Sequence, residues 1–235
     1  MSAMYSNPLV SHRQTGFTIL EMSVVLVVIA LIIGAVSVGR DLYRSAVAER
    51  IGSEFVQGWM VAYDRYVAQV GVVPGDSLVD PSGRVRNAAN TELCNNDLRE
   101  MMLTRGISLP QGRAEGLETR YVYQDSNGQP QELEVCFVNV DNWAEPSSGT
   151  TYALRSRNVM LLRGLSPELA HQLDTRIDGR VDARFGRLRE VDSQNFTGGP
   201  GSPPTEGPWS RNERQISEAP DAVIPTVSAY IRMNQ

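Results

Sequence analysis

The sequence predicts an α+β chain: a long amino-terminal helix whose first half spans a membrane and whose second half packs on a small antiparallel-sheet head. Three observations predict it. Residues 22–39 carry no charged side chain, and at ~1.5 Å per residue that run approaches the ~30 Å thickness of a hydrocarbon core. Beyond it, Ile51, Phe55, Trp59, Ala62, Tyr66 and Val70 recur every three or four residues, an apolar stripe that continues the helix until Gly71 and Pro74 stop it. Further on, residues 118–125 and 131–139, rich in Tyr, Val and Phe, flank Ser126-Asn127-Gly128-Gln129-Pro130, a hairpin turn.

The 235 residues leave room for one membrane helix and one head with a single core. A net charge of -5 argues against a nucleic-acid surface driven by overall charge, and no nucleic-acid partner is expected. All 22 basic residues are arginine, which excludes lysine chemistry such as a Schiff base or a phosphate-binding Gly-Lys loop. His171 is the only histidine beyond residue 12, and no serine or cysteine stands beside it. No enzyme activity and no cofactor are expected.

The amino terminus reverses the order of a secretory signal, in which the apolar stretch precedes the cleavage site and is lost with it. Here a short polar leader, residues 1–16, holds His12 and Arg13 and ends at Gly16, and the apolar run follows. A cut behind the glycine leaves the membrane segment, residues 17–38, on the mature chain. The leader is basic without an acid, which places it on the cytoplasmic side and the rest outside. Within the spanning segment stands Glu21, where a carboxylate costs roughly 2.5 to 3.5 kcal/mol.

Gly16-Phe17-Thr18-Ile19-Leu20-Glu21 followed by the apolar run resembles the prepilin signature shared by type IV pilins and type II secretion pseudopilins. The resemblance implies a type IV pilin-like fold, cleavage between Gly16 and Phe17 by a prepilin peptidase, and N-methylation of Phe17. It implies a single-pass inner-membrane protein with a periplasmic head that later enters a filament. Its partners would be the lipid bilayer, other pilin or pseudopilin subunits and an inner-membrane assembly platform. Its function would be that of a structural subunit, minor or specialised, of a type IV pilus, with a type II secretion pseudopilin or a non-polymerising binding or adhesion module as alternatives. Glu21 would pair with the terminal amine of a neighbour and set subunit register; alternatively it sits at headgroup level and complements the helix dipole.

Residues 39–72 form the amphipathic outer half of the helix and 73–235 the head. Val73-Pro74-Gly75-Asp76 resembles the turn that follows the long helix in many prepilin-like proteins. Residues 91–105 read as a helix with Leu93, Leu98, Met101 and Met102 on its apolar side, and 150–156 as a third strand. Ser166-Pro167-Glu168 opens a helix running to Asp178. Residues 193–220, rich in proline and glycine, read as a long surface loop, and 222–233 as a last strand or extended tail. In an exported head Cys94 and Cys136 most simply form a disulfide; the alternative is two buried thiols. Asp174, Asp178 and Asp182, four apart, have a spacing compatible with calcium, as in some pseudopilins. Gly179 stands where that family has a second acid, and Arg176, Arg180 and Arg184 favour a solvated, capped helix end instead.

Overall fold

The computed structural model describes residues 16–112, 117–148, 151–197, 209 and 225–234. The chain divides into two units, residues 1–44 and 45–235. Helix α1 (Ile19–Arg50) begins at the apolar run and passes into one π-wound turn, Ile51–Val56, and then α2 (Gln57–Val70). Gly71 ends α2 at φ 87°, a left-handed position in which its N–H bonds Val67 O. The π turn interrupts the expected uninterrupted α-helix. There Gly52 comes so close to residues 173–176 that a Cβ would meet the Leu173 and Arg176 side chains at 3.3 Å.

The head is one antiparallel sheet with α2 on one face. Its strands are β1 (Leu93–Cys94), β2 (Arg120–Gln124), β3 (Pro130–Ser148), β4 (Thr151–Leu165), β5 (Leu188–Glu190) and β6 (Val227–Arg232), with α3 (Asn95–Thr104) and α4 (Pro167–Asp178) between them. The order is β1-β3-β4-β6-β5, and β2 shares with β1 the same side of β3. The stripe read from the sequence packs into the core: Phe55 meets Tyr121 at 5.4 Å between ring centroids and Trp59 meets Phe137 at 6.2 Å, while Tyr63, outside that stripe, meets Phe137 at 4.9 Å. Alternate residues of β3 and β4 serve two faces, Val135, Phe137, Met160 and Leu162 on the α2 side, Cys136, Val138, Val159 and Leu161 on a second, smaller cluster.

Several expectations are corrected. Residues 91–94 are not helical: Leu93 and Cys94 pair with Phe137 and Cys136, and α3 starts only at Asn95. Leu93 fits a helical spacing with Leu98 and Met102 by coincidence, because a strand entering a helix buries both on one side. β3 runs well past 139 to Ser148 and β4 well past 156 to Leu165, the pair bent by register shifts at Val140/Trp143 and Pro146/Ser148. The bulge between Leu162 and Leu165 holds Gly164 at φ 79°, where a Cβ would fall 2.0 Å from Glu132 O. Of residues 193–220, Trp209 is fully buried, not on the surface; 198–208 and 210–220 lie outside the described residues.

Both sides of the sheet are short. Three-residue β5 closes one, and its Arg189 turns inward, stacks over Trp143 at 4.2 Å and donates to Ala144 O at 2.8 Å. Two short strands in succession, β1 and β2, close the other.

Candidate functional site

Gly16, Phe17 and Thr18 precede the first helical turn and are exposed, Phe17 at 80%. Thr18 and Glu21 form a reciprocal cap. The Thr18 N–H and hydroxyl donate to Glu21 Oε2 at 2.8 and 2.9 Å, and the Glu21 N–H donates back to Thr18 Oγ1 at 3.2 Å. Two backbone donors that the helix start leaves orphaned are thereby satisfied, and a negative group stands at the positive end of the helix dipole. The signal was present in the sequence as Thr-x-x-Glu ahead of an apolar run, a role for Thr18 that the reading of Glu21 as a charge partner passed over. Over the apolar window of the Ile19–Val70 helix none of the surface is buried by the rest of the chain. Leu26, Leu31 and Ile33 are each more than 60% exposed, a surface suited to lipid or to partner helices.

Residues 11–37 match the family described as the prokaryotic N-terminal methylation motif. The match covers the residues just ahead of Gly16, then Gly16, Phe17, Glu21 and most of the apolar run; residues 1–15, with His12 and Arg13, lie outside the described residues. The chain therefore carries the prepilin-type cleavage and methylation signature, and together with the α+β architecture it is pilin- or pseudopilin-like. No curated protein and no solved structure matches it. The helix and the signature are consistent with membrane anchoring.

In the head, Cys94 and Cys136 are joined as a disulfide between directly paired residues of β1 and β3. Arg163 of β4 lies over it, 3.6 Å from Cys136 Sγ and 3.9 Å from Cys94 Sγ, and is held by Glu134 at 3.3 Å and by a bidentate pair with Glu92.

The three aspartates proposed for calcium are occupied by the chain itself. Asp174 on α4 is fully buried, not solvated, and its Oδ2 accepts from Trp209 Nε1 at 2.8 Å and from the Asp182 N–H at 2.7 Å. Its Oδ1 is buried without a partner. Burial pushes the Asp174 carboxyl up to about 7, with the charges of Asp178 and Asp182 adding to the rise and the two hydrogen bonds opposing it. Asp178 accepts from the N–H groups of Arg187 and Leu188, and Asp182 from that of Arg184. Arg176 reaches Glu49 rather than an aspartate of its own segment. Each acid is thus a backbone cap, and Asp174 is the anchor of Trp209. His171 stands on α4, half-buried.

The turn after α2 is fixed by one acid and one buried amide pair. Asp76 accepts from the N–H groups of Ser77, Ser82 and Gly83 and from the Ser82 hydroxyl, and these bonds hold its carboxyl below the usual range against the effect of burial. Asn158 of β4 accepts from Val85 N–H at 3.1 Å and donates to Gly83 O at 2.8 Å, and Asn139 of β3 donates to it at 2.9 Å.

Proposed function

We propose that the chain is a structural subunit, minor or specialised, of a type IV pilus or pilus-like filament, cut between Gly16 and Phe17 by a prepilin peptidase and N-methylated on Phe17. The observation that carries this reading is the motif match over residues 11–37 joined to an apolar helix whose surface the chain leaves uncovered. Before assembly the protein is anchored in the inner membrane by that helix with its head in the periplasm. Its partners are the bilayer, the peptidase, an assembly platform and other subunits.

The cut creates an ammonium at Phe17 within one turn of Glu21. In lipid each charge alone is costly, so pairing the amine of one subunit with the carboxylate of a neighbour sets a fixed stagger. The Thr18 donors both fall on Oε2, which leaves Oε1 outside the cap to receive such a partner.

A type II secretion pseudopilin shares the same signature and is the second reading; a membrane-anchored module that never polymerises is the third. Mass spectrometry of the mature chain tests the common core: an N-methylated Phe17 is expected, and a chain that begins elsewhere overturns it. Glu21→Ala should abolish assembly while leaving membrane insertion intact, whereas a non-polymerising module would keep its surface function. Surface filaments lost on deletion of the gene support the pilus, and a secretion defect without such filaments supports the pseudopilin.

A further inference from the structure

The disulfide is chemically asymmetric. Cys136 lies fully buried in the middle of the sheet, whereas Cys94 is only partly buried at the end of a two-residue strand. The charged groups around the pair are asymmetric too. Glu92 Oε2 lies 3.6 Å from Cys94 Sγ and disfavours negative charge there, while the Arg163 guanidinium lies nearer Cys136. Glu134, across the strands from Arg163, and Arg120, 3.9 Å from Glu134, complete the charged surroundings, and half-buried Tyr230 of β6 packs on the same small cluster two strands beyond Cys136. The guanidinium is oriented by its two carboxylates rather than by the sulfurs, so it is in place before any charge develops on them.

We propose that this disulfide opens and closes in one fixed order, with Cys94 taking the external thiol and Cys136 acting as the thiolate that leaves and returns beneath Arg163. In the opening direction the thiolate of a small or protein thiol attacks Cys94 Sγ, on the less buried of the two cysteines. A bond forms between the incoming sulfur and Cys94, the Cys94–Cys136 bond breaks, and its electron pair goes to Cys136, whose thiolate Arg163 stabilises. In the closing direction the Cys136 thiolate attacks Cys94 Sγ of the mixed disulfide and expels the external thiolate. Electrons balance in both directions, and the co-reactant is a thiol or its mixed disulfide. A leaving thiol of lower pKa departs faster, and a cation beside a thiol lowers its pKa. Arg163 is therefore a positioning residue for exchange, and the site recognises thiol–disulfide partners.

The test uses the full chain in detergent micelles with glutathione as probe. Brief exposure of the wild-type chain to reduced glutathione, quenched with acid and read by peptide mass spectrometry, should place the glutathione mixed disulfide on Cys94, with Cys136 as the free thiol. Arg163→Gln should slow opening of the wild-type disulfide by reduced glutathione about tenfold, with Arg163→Lys restoring much of the rate. A purely structural role for Arg163 predicts the opposite sign, because loosening β1 exposes the sulfurs and speeds opening. A mixed disulfide found equally on the two cysteines, or mainly on Cys136, overturns the order, and opening of Arg163→Gln at or above the wild-type rate overturns the role of Arg163.

Discussion

Thr18 and Glu21 hold each other at the head of α1, with both Thr18 donors on one carboxylate oxygen at 2.8 and 2.9 Å. Glu21 therefore has a task within its own chain in addition to any task between chains, and the two separate cleanly by substitution. Gln at this position keeps the reciprocal cap but has no charge. Glu21→Gln should leave helix content in micelles unchanged by circular dichroism and still prevent filament formation. Thr18→Ala should cost the helix start about 1 kcal/mol and leave the charge in place, so filaments should still form. Filaments of normal yield from Glu21→Gln would show that the cap, not the charge, is the requirement.

The buried Asp174 makes the head less stable as pH rises. Its carboxyl is pushed up to about 7 from an ordinary value near 4, so the folded chain binds the proton more tightly than the unfolded chain. That stability is present in full below about pH 4 and is lost as pH rises to about 7. Asp174→Asn is neutral throughout. It should match the wild type near pH 4 and exceed it at pH 8 by about 2 kcal/mol in urea unfolding. The opposite ordering at pH 8 would show that the carboxylate, not the acid, is the stabilising form.

Trp209 is fully buried and donates to Asp174. Trp209→Ala should destabilise the head by about 3 to 5 kcal/mol, and Trp209→Phe by less, since the ring volume is largely kept while the donor is lost. Urea midpoints of the two variants, read beside Asp174→Asn, check this. A surface tryptophan would move neither.

Gly164 sits at a left-handed position with Glu132 O where its Cβ would go. Gly164 O also accepts from the Tyr123 hydroxyl at 2.8 Å, and that hydroxyl accepts from the Ser166 N–H at 2.7 Å, so the bulge also sets the start of α4. Gly164→Ala should cost about 3 kcal/mol or more, read as a fall in the urea midpoint.

How legible each element was follows from how local its cause is. The apolar run, the Gly71 stop, the Asn127-Gly128 turn and the Ser166 cap with Pro167 each depend on a few neighbouring residues, and all four stand where the sequence put them. β1 and β5 are two and three residues long, too short to leave a period, and exist because a distant strand pairs with them. The aspartates four apart gave a spacing but not a direction. Asp174 is turned inward onto Trp209, and no spacing rule reaches across the 35 residues that separate them. The cysteine pairing was readable from a count of two and the expectation of export, whereas Arg163, 27 residues beyond Cys136, was not.

The two margins of the sheet carry a consequence for how copies can meet. A neighbour offering an extended segment finds three residues on one flank, where the Glu190 N–H is already bonded to Ala183 O, and two abutting short strands on the other. The inward arginine on β5 works against a registered ladder there, whereas among the described residues no further strand pairs outside β3 beyond Phe137 or outside β4 before Val159. An extended segment meeting the β5 flank thus finds little backbone to pair with, and contact there falls to side chains.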